Sequence, residues 1–143
     1  MDITNDPRAV RNLLETARRI AVVGCSPNPD RDSHRIARYL IGAGYDVVPV
    51  NPGHARLLDR DCYPDVGSIP GGVDIVDIFR SPEHVPPVVE DAIAAKAKAV
   101  WMQLGVGNDE AARRASEAGL LVVVEQCIMV AHRSIFGPRK NPQ

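Results

Sequence analysis

An apolar run at residues 20–23 leads directly into Gly24 and then into a segment rich in proline and polar residues. The run predicts a buried β-strand, and Gly24 predicts a tight turn at its end. After Arg31, a helix is predicted to start at Asp32 or Ser33. In α/β proteins a phosphate group binds at such a junction, because the first N–H groups of a helix are unpaired and lie at the positive end of its dipole.

Four more apolar segments repeat this pattern and alternate with segments of helical periodicity. The predicted strands lie at residues 20–24, 47–50, 74–79, 99–103 and 120–124. Helices are predicted at 32–43, 88–96, 109–118 and 128–132, besides a first helix capped by Asp6 with Pro7 at its first position. The alternation predicts a single-domain, doubly wound α/β fold, Rossmann-like, with five parallel strands in the order 3-2-1-4-5 and helices on both faces.

The predicted organisation is an N-terminal helix packed on the domain (1–19), a Rossmann-like domain (20–134) and a tail (135–143). Residues 54–72 are predicted to be an irregular surface loop. Pro49 lies within the second predicted strand, so it is expected where its missing N–H is not needed.

Composition excludes several classes of function. A formal net charge of −1 and an aromatic content of 4% argue against a nucleic-acid partner. No apolar run reaches the roughly 18 residues of a membrane span. The polar N-terminus is unlike a secretory signal, and the three cysteines have no paired spacing, so we expect reduced thiols and a cytoplasmic location. Cys127 and His132 lie five residues apart, which does not suit one helical face, and no metal site is predicted.

The predicted topology brings Gly24, Asn51, Phe79 and Gln103 to the carboxyl ends of their strands, which predicts a ligand crevice at that edge of the sheet. The crevice does not fit NAD. Gly24 is the only glycine between residues 20 and 41, and the second strand ends in Asn51 rather than in the acidic residue that binds the ribose.

Phosphate-binding groups are still predicted at this edge. Ser26 and Ser33 supply hydroxyls, and Arg31 and Arg80 supply fork-shaped donors. Each also has a structural interpretation, in which the serines cap a turn and a helix and Arg80 pairs with Asp77 or Glu83. Gln103 could satisfy backbone groups of neighbouring loops, and Cys25 could be a packed thiol or, beside a helix start, a thiol of lowered pKa.

Several segments between residues 20 and 132 together resemble the small stand-alone coenzyme A-binding proteins, whose single domain is similar to the nucleotide-binding domain of the succinyl-CoA synthetase alpha subunit. The matching segments are Ala21-Val22-Val23-Gly24-Cys25-Ser26, Arg31-Asp32-Ser33, Tyr39-Leu40, Gly44-Tyr45, Val48-Pro49-Val50-Asn51-Pro52, Val73-Asp74-Ile75-Val76-Asp77-Ile78-Phe79-Arg80, Val100-Trp101-Met102-Gln103-Leu104-Gly105-Val106, and Cys127 with His132. The chain departs from the family pattern at Gln126 and Ala131.

The resemblance implies that CoA or an acyl-CoA lies across the strand ends. The residues implied at the phosphates are Gly24, Ser26, Arg31 and Ser33, with Cys25 in the same loop. Those implied around the adenosine are Val50, Asn51, Phe79 and Arg80, with Pro52 in the same turn. Those implied at the pantetheine arm or the diphosphate are Gln103, Leu104 and Gly105.

The resemblance favours a non-catalytic binding module that acts as carrier, sensor or regulator. Separately, we expect a homodimer and an unidentified protein partner. One alternative is a small nucleotide-dependent enzyme, an NAD(P) oxidoreductase or an acyl transferase. It would need a general base in the crevice, for which Glu125 after the fifth strand is the candidate. A second alternative is an interaction module whose crevice is vestigial.

Overall fold

The structure, a computed structural model, describes residues 1–137 of the 143. Its strands are β1 (Arg19–Val23), β2 (Asp46–Val50), β3 (Arg56–Leu57), β4 (Arg60–Asp61), β5 (Ile75–Ile78), β6 (Ala99–Met102) and β7 (Leu121–Val124). Its helices are α1 (Pro7–Thr16), α2 (Asp32–Gly42), α3 (Val85–Ala94), α4 (Asp109–Glu117) and α5 (Ile128–Phe136), with short 3₁₀ helices at Val66–Ser68 and Pro82–His84. The predicted α/β class and five-stranded parallel sheet are confirmed.

Capping residues set two helix starts where the sequence predicted them. The Asp6 carboxylate accepts from the Ala9 N–H at 3.1 Å, and the Asn108 side chain accepts from the Ala111 N–H at 2.9 Å. Helix α3 begins three residues before the predicted start, and Pro86 lies in its first turn, where no N–H is needed.

The predicted strand order is wrong in one respect. The sheet runs β2-β1-β5-β6-β7, so the third long strand lies beside β1 and not outside β2. The chain leaving β2 crosses to the face opposite α2, where Val66 packs in the same core as Val85 and Val89 of α3. The outer edge of β2 is covered instead by Tyr63, which donates to Pro49 O and accepts from Asn51 N.

This edge position explains why β2 tolerates Pro49. The backbone groups of Asp46 and Val50 are bonded to β1, from Asp46 N to Arg18 O and from Gly24 N to Val50 O. Alternate residues of a strand direct their backbone groups to opposite sides, so the backbone nitrogen of Pro49 faces away from β1. Its missing N–H costs the sheet no hydrogen bond.

Residues 54–72 are not the irregular loop that was predicted. Strands β3 and β4 form an antiparallel hairpin whose turn residues, Leu58 and Asp59, both have positive φ (55° and 60°). Such turns usually contain glycine or asparagine, so the sequence lacked the usual signal. Cys62, which follows the hairpin, is buried.

Both ends of the described chain add structure that was not predicted. Ile3 N donates to Val122 O and Val122 N to Met1 O, each at 2.9 Å, so residues 1–3 extend along the free edge of β7. Helix α1 packs its Val10 and Leu13 into the core. Helix α5 continues to Phe136, so residues 135–136 of the predicted tail are helical, and residues 138–143 lie outside the described residues.

Two hydrophobic cores cover the sheet. One lies under α3 and α4, and the other under α1, α2 and α5, where Trp101 is fully buried and its indole N–H donates to Gln126 O at 2.9 Å. None of the helices within residues 1–137 combines the length and apolar character needed to cross a bilayer.

One carboxyl group lies inside the sheet without a partner. Asp77 of β5 is in register with Val22 and Trp101, is completely buried, and neither of its oxygens has a hydrogen-bond partner among the described residues. Burial raises the pKa of Asp77 well above its usual value, because the charged form loses its hydration.

We therefore expect Asp77→Asn to stabilise the fold more at pH 7.5 than at pH 4.5. Above the ordinary aspartate pKa, the unfolded chain releases this proton while the folded protein retains it, so the wild type loses up to about 1.4 kcal/mol of unfolding free energy per pH unit. Urea unfolding at several pH values measures the difference between variant and wild type. Asp59→Asn, an exposed turn residue, is the control, and a difference for Asp77→Asn that does not grow with pH would contradict the prediction.

Candidate functional site

A cavity of about 280 Å³ opens at the carboxyl ends of β1 and β5. It is lined by Gly24, Ser26, Arg31, Asp32, Ser33 and Phe79. Five of these six were predicted site residues. The cavity therefore lies at the strand–loop–helix junction that the sequence indicated.

Gly24 allows β1 and β5 to approach each other at the floor of this cavity. Its φ is +84°, and a Cβ atom at this position would lie 2.2 Å from the carbonyl oxygen of Phe79. Its own N–H donates to Val50 O on the other side. A glycine is required here by both the backbone conformation and the close contact.

The loop after Gly24 is held by its serine hydroxyls. Ser33 Oγ accepts from Ser26 N at 2.9 Å, Ser26 Oγ accepts from Asn28 N at 3.0 Å, and His34 Nδ1 donates to Ser26 O at 2.8 Å. Ser26 therefore caps a turn, as its structural interpretation proposed, whereas Ser33 holds the loop and does not cap α2. Both hydroxyls act here as acceptors, so each still has a proton to donate, and within residues 1–137 neither proton has an acceptor.

The first turn of α2 has unused donors. Its N-cap residue, Arg31, makes no side-chain cap, so the N–H groups of Asp32 and Ser33 have no partner in the helix. Among the described residues, the Arg31 and Arg80 guanidinium groups form neither a hydrogen bond nor an ion pair, so the predicted pairing of Arg80 is not found. The one acidic lining residue, Asp32, pairs with Arg35.

Cys25 lies under the loop and not in the cavity. Its side chain is completely buried, and burial, with a smaller contribution from Cys62, raises the pKa of the Cys25 thiol to about 12. The packed-thiol interpretation is therefore correct, and a lowered pKa is not. The backbone of Cys25 holds the β2 turn, because its carbonyl accepts from Asn51 Nδ2 at 2.9 Å.

The end of β2 serves mainly to build the turn. The second polar atom of the Asn51 amide, Oδ1, accepts from Gly53 N at 2.8 Å, so both ends of this side chain are used within the fold. The side chain of Val50 packs in the core, whereas Pro52 is exposed. Because β1 lies between β2 and β5, Asn51 and Phe79 lie on opposite sides of Gly24, not side by side as the predicted strand order had implied.

The loop after β6 lies at the same carboxyl edge of the sheet, two strands away from β1. Gln103 is 4% exposed, and its Oε1 accepts from Ile128 N at 3.0 Å, so it links two loops as its structural interpretation proposed. Leu104 is 65% exposed, and Gly105 has a φ of +77°. The Glu125 carboxylate fixes this loop by accepting from Gly105 N and Gly107 N. This contact was not predicted from the sequence, where its only signal is that the two glycines lie two residues apart in the loop.

Cys127 and His132 lie five positions apart, so about half the length of α5 separates them. Cys127 precedes the helix at the crevice, whereas His132 lines an open groove of about 1100 Å³ at the opposite, amino edge of the sheet. There His132 Nδ1 and Tyr39 OH share a hydrogen bond of 2.8 Å. Among the described residues, no group of His, Cys, Asp and Glu is arranged to hold a metal ion.

Comparison with known proteins gives consistent results. Residues 18–133 match the family model described as a CoA binding domain. The Bacillus subtilis protein YneT is 38% identical over 123 residues, which cover 86% of this chain and 91% of YneT. A hypothetical protein from Pyrococcus horikoshii has 40% identity and a TM-score of 0.92, with 96% of this chain and 97% of that chain covered.

A larger protein contains a similar domain. The dinucleotide-forming acetyl-coenzyme A synthetase 1 of Candidatus Korarchaeum cryptofilum matches with 34% identity and a TM-score of 0.66. The match covers 73% of this chain but only 25% of the synthetase. The similarity is therefore to one part of that protein.

We expect Gly24→Ala to lower the unfolding free energy by about 3 kcal/mol or more, because the new methyl group meets the Phe79 carbonyl. Gly119→Ala is the matched control, since Gly119 also has a positive φ (+94°) but a methyl group there would have nothing within 4 Å. That variant is expected to lose only about 1 kcal/mol, the cost of the backbone conformation. Chemical denaturation measures both, and equal losses would show that the close contact is unimportant.

Proposed function

Since this chain belongs to the CoA-binding domain family, we propose that it binds coenzyme A or an acyl-CoA across the carboxyl ends of its parallel strands, as a non-catalytic carrier, sensor or regulatory module. One observation carries the proposal. The uncapped start of α2, Arg31 and the two serine hydroxyls surround a single cavity, and together they form a donor-rich site for phosphate groups.

The phosphates of CoA fit this end of the crevice on chemical grounds. The free N–H groups of Asp32 and Ser33 lie at the positive end of the α2 dipole, which favours an anion. Arg31 adds a charged, two-pronged donor with no competing partner among the described residues. Asp32 opposes an anion, but its carboxylate is paired with Arg35, which reduces the repulsion.

We propose positions for the rest of the ligand from the order of the strands. The β2 turn at Asn51 and Pro52 lies on one side of the phosphate cavity and offers a place for the adenosine. The β6 loop at Leu104 and Gly105 lies on the other side and offers an exposed apolar side chain to the pantetheine arm. Phe79 lines the phosphate cavity itself, with Arg80 next to it in the chain.

The alternative of an NAD(P) enzyme or an acyl transferase receives less support. A dinucleotide loop needs additional glycines, and here two prolines and an internally braced serine loop take their place. Both oxygens of Glu125, the candidate base, already accept backbone hydrogen bonds. Asp77 lies inside the sheet, away from solvent.

Calorimetric titration with CoA tests the proposal, with NAD and ADP as comparison ligands. We expect CoA to bind more tightly than either comparison ligand, because it adds a 3′-phosphate and a pantetheine arm to the shared adenosine diphosphate. Arg31→Ala is expected to weaken CoA binding at least tenfold, equivalent to about 1.4 kcal/mol.

Arg38→Ala is the matched control, because Arg38 is an exposed arginine of the same helix outside the cavity and its loss changes the net charge equally. Tighter binding of NAD than of CoA would favour the oxidoreductase. Absence of binding by all three ligands would favour an interaction module. Equal losses of CoA affinity in Arg31→Ala and Arg38→Ala would show that the phosphates do not bind at the start of α2.

A further inference from the structure

A carboxylate lies at the end of the crevice farthest from the phosphate cavity. Glu125 directly follows β7 and has a positive φ of 54°, which is rare for a residue with a side chain. Its Oε1 accepts from Gly107 N at 3.0 Å and its Oε2 from Gly105 N at 3.2 Å. Both oxygens of one carboxylate thus hold one loop, the loop proposed to contact the pantetheine arm.

The loop is shaped around this carboxylate. A Cβ atom on Gly107 would lie 2.6 Å from Glu125 Oε1, so a side chain at position 107 would displace the carboxylate from its observed position. Gly105 has a φ of +77°, which again suits glycine. Two glycines and one strained glutamate therefore form a single interlocked unit.

This unit gives the crevice opposite charges at its two ends. In the sheet, β7 is three strands away from β1, about 14 Å at the usual spacing of parallel strands. The donors of α2 lie at the β1 end, and the Glu125 carboxylate lies at the β7 end. The carboxylate also occupies the two N–H groups of the β6 loop that would otherwise bind an anion.

We propose that Glu125 makes the β6–β7 end of the crevice selective for an uncharged group, so that this chain takes free CoA and CoA thioesters with neutral acyl groups and discriminates against acyl groups that end in a carboxylate. The inference rests on the proposed function, because it assumes that the phosphates lie at α2 and the acyl end points toward β7. A terminal carboxylate there would meet the like charge of Glu125, which already occupies the N–H groups of Gly105 and Gly107.

The test compares the affinities of acetyl-CoA and succinyl-CoA for the same protein by calorimetry. Their nucleotide and pantetheine parts are identical, so the ratio of the two dissociation constants isolates the acyl end. We expect the wild type to prefer acetyl-CoA by about fivefold, equivalent to about 1 kcal/mol, the upper end of what a contact between exposed charges contributes. The ratio should approach one in about 1 M salt, where charges are screened within about 3 Å.

Glu125→Gln is expected to reduce the preference to less than about twofold, mainly through tighter binding of succinyl-CoA. Glu117→Gln removes the same charge from an exposed position on α4 and should leave the preference unchanged. Adenosine 3′,5′-bisphosphate lacks the arm and should bind the wild type and Glu125→Gln equally.

Three results would overturn the inference while leaving CoA binding intact: equal wild-type affinity for the two thioesters, a preference independent of salt, or an unchanged preference in Glu125→Gln. The first two need no variant, so they decide the matter even if Glu125→Gln does not fold. Failure of the wild type to bind free CoA is a different result, which would overturn the proposed function itself.

Discussion

The contact between Gly24 and the Phe79 carbonyl is the constraint on which the rest of this structure depends. It exists because β5 lies beside β1, and it is possible only because residue 24 has no side chain. From this junction α2 leaves toward one face of the sheet and α3 toward the other, since their buried residues belong to different cores. A crevice opens between helices that diverge in this way, at the carboxyl edge of the sheet where α/β proteins bind ligands.

The crevice is polarised along the sheet. The Arg31 guanidinium, the uncapped start of α2 and the two serine hydroxyl protons lie at the ends of β1 and β5, whereas the Glu125 carboxylate lies at the end of β7. Coenzyme A has the same asymmetry, with its phosphates at one end and an uncharged arm at the other. In the proposed complex, this match in charge distribution would give CoA a direction across the strands, which the fold alone would not do.

Predictions from sequence were accurate wherever the signal was local. Asp6 and Asn108 cap their helices, the five apolar runs form the strands, and the strand–loop–helix junction lines a cavity. They failed where the outcome depended on distant contacts. The position of β5 depends on the packing of Val66 against α3, and the hairpin turn at Leu58 has no glycine to indicate it. The sequence also did not show that Pro49 lies on the outer edge of the sheet, because this depends on the order of the strands.

The sequence by itself determined the fold class, the edge of the sheet that holds the site and the chemistry of the α2 junction, because periodicity, capping and a glycine after a buried strand act over a few residues. Only the tertiary structure decided which strand lies beside β1, that Cys25 and Asn51 are used within the fold, and that Glu125 closes the β6 loop. Each of these outcomes depends on contacts between residues 18 or more positions apart in the chain. The packing of the two cores brings these residues together, so no local sequence pattern indicates the contacts. Asp77 shows the same division, since its place in a strand follows from the sequence but its lack of a partner is a property of the folded sheet alone.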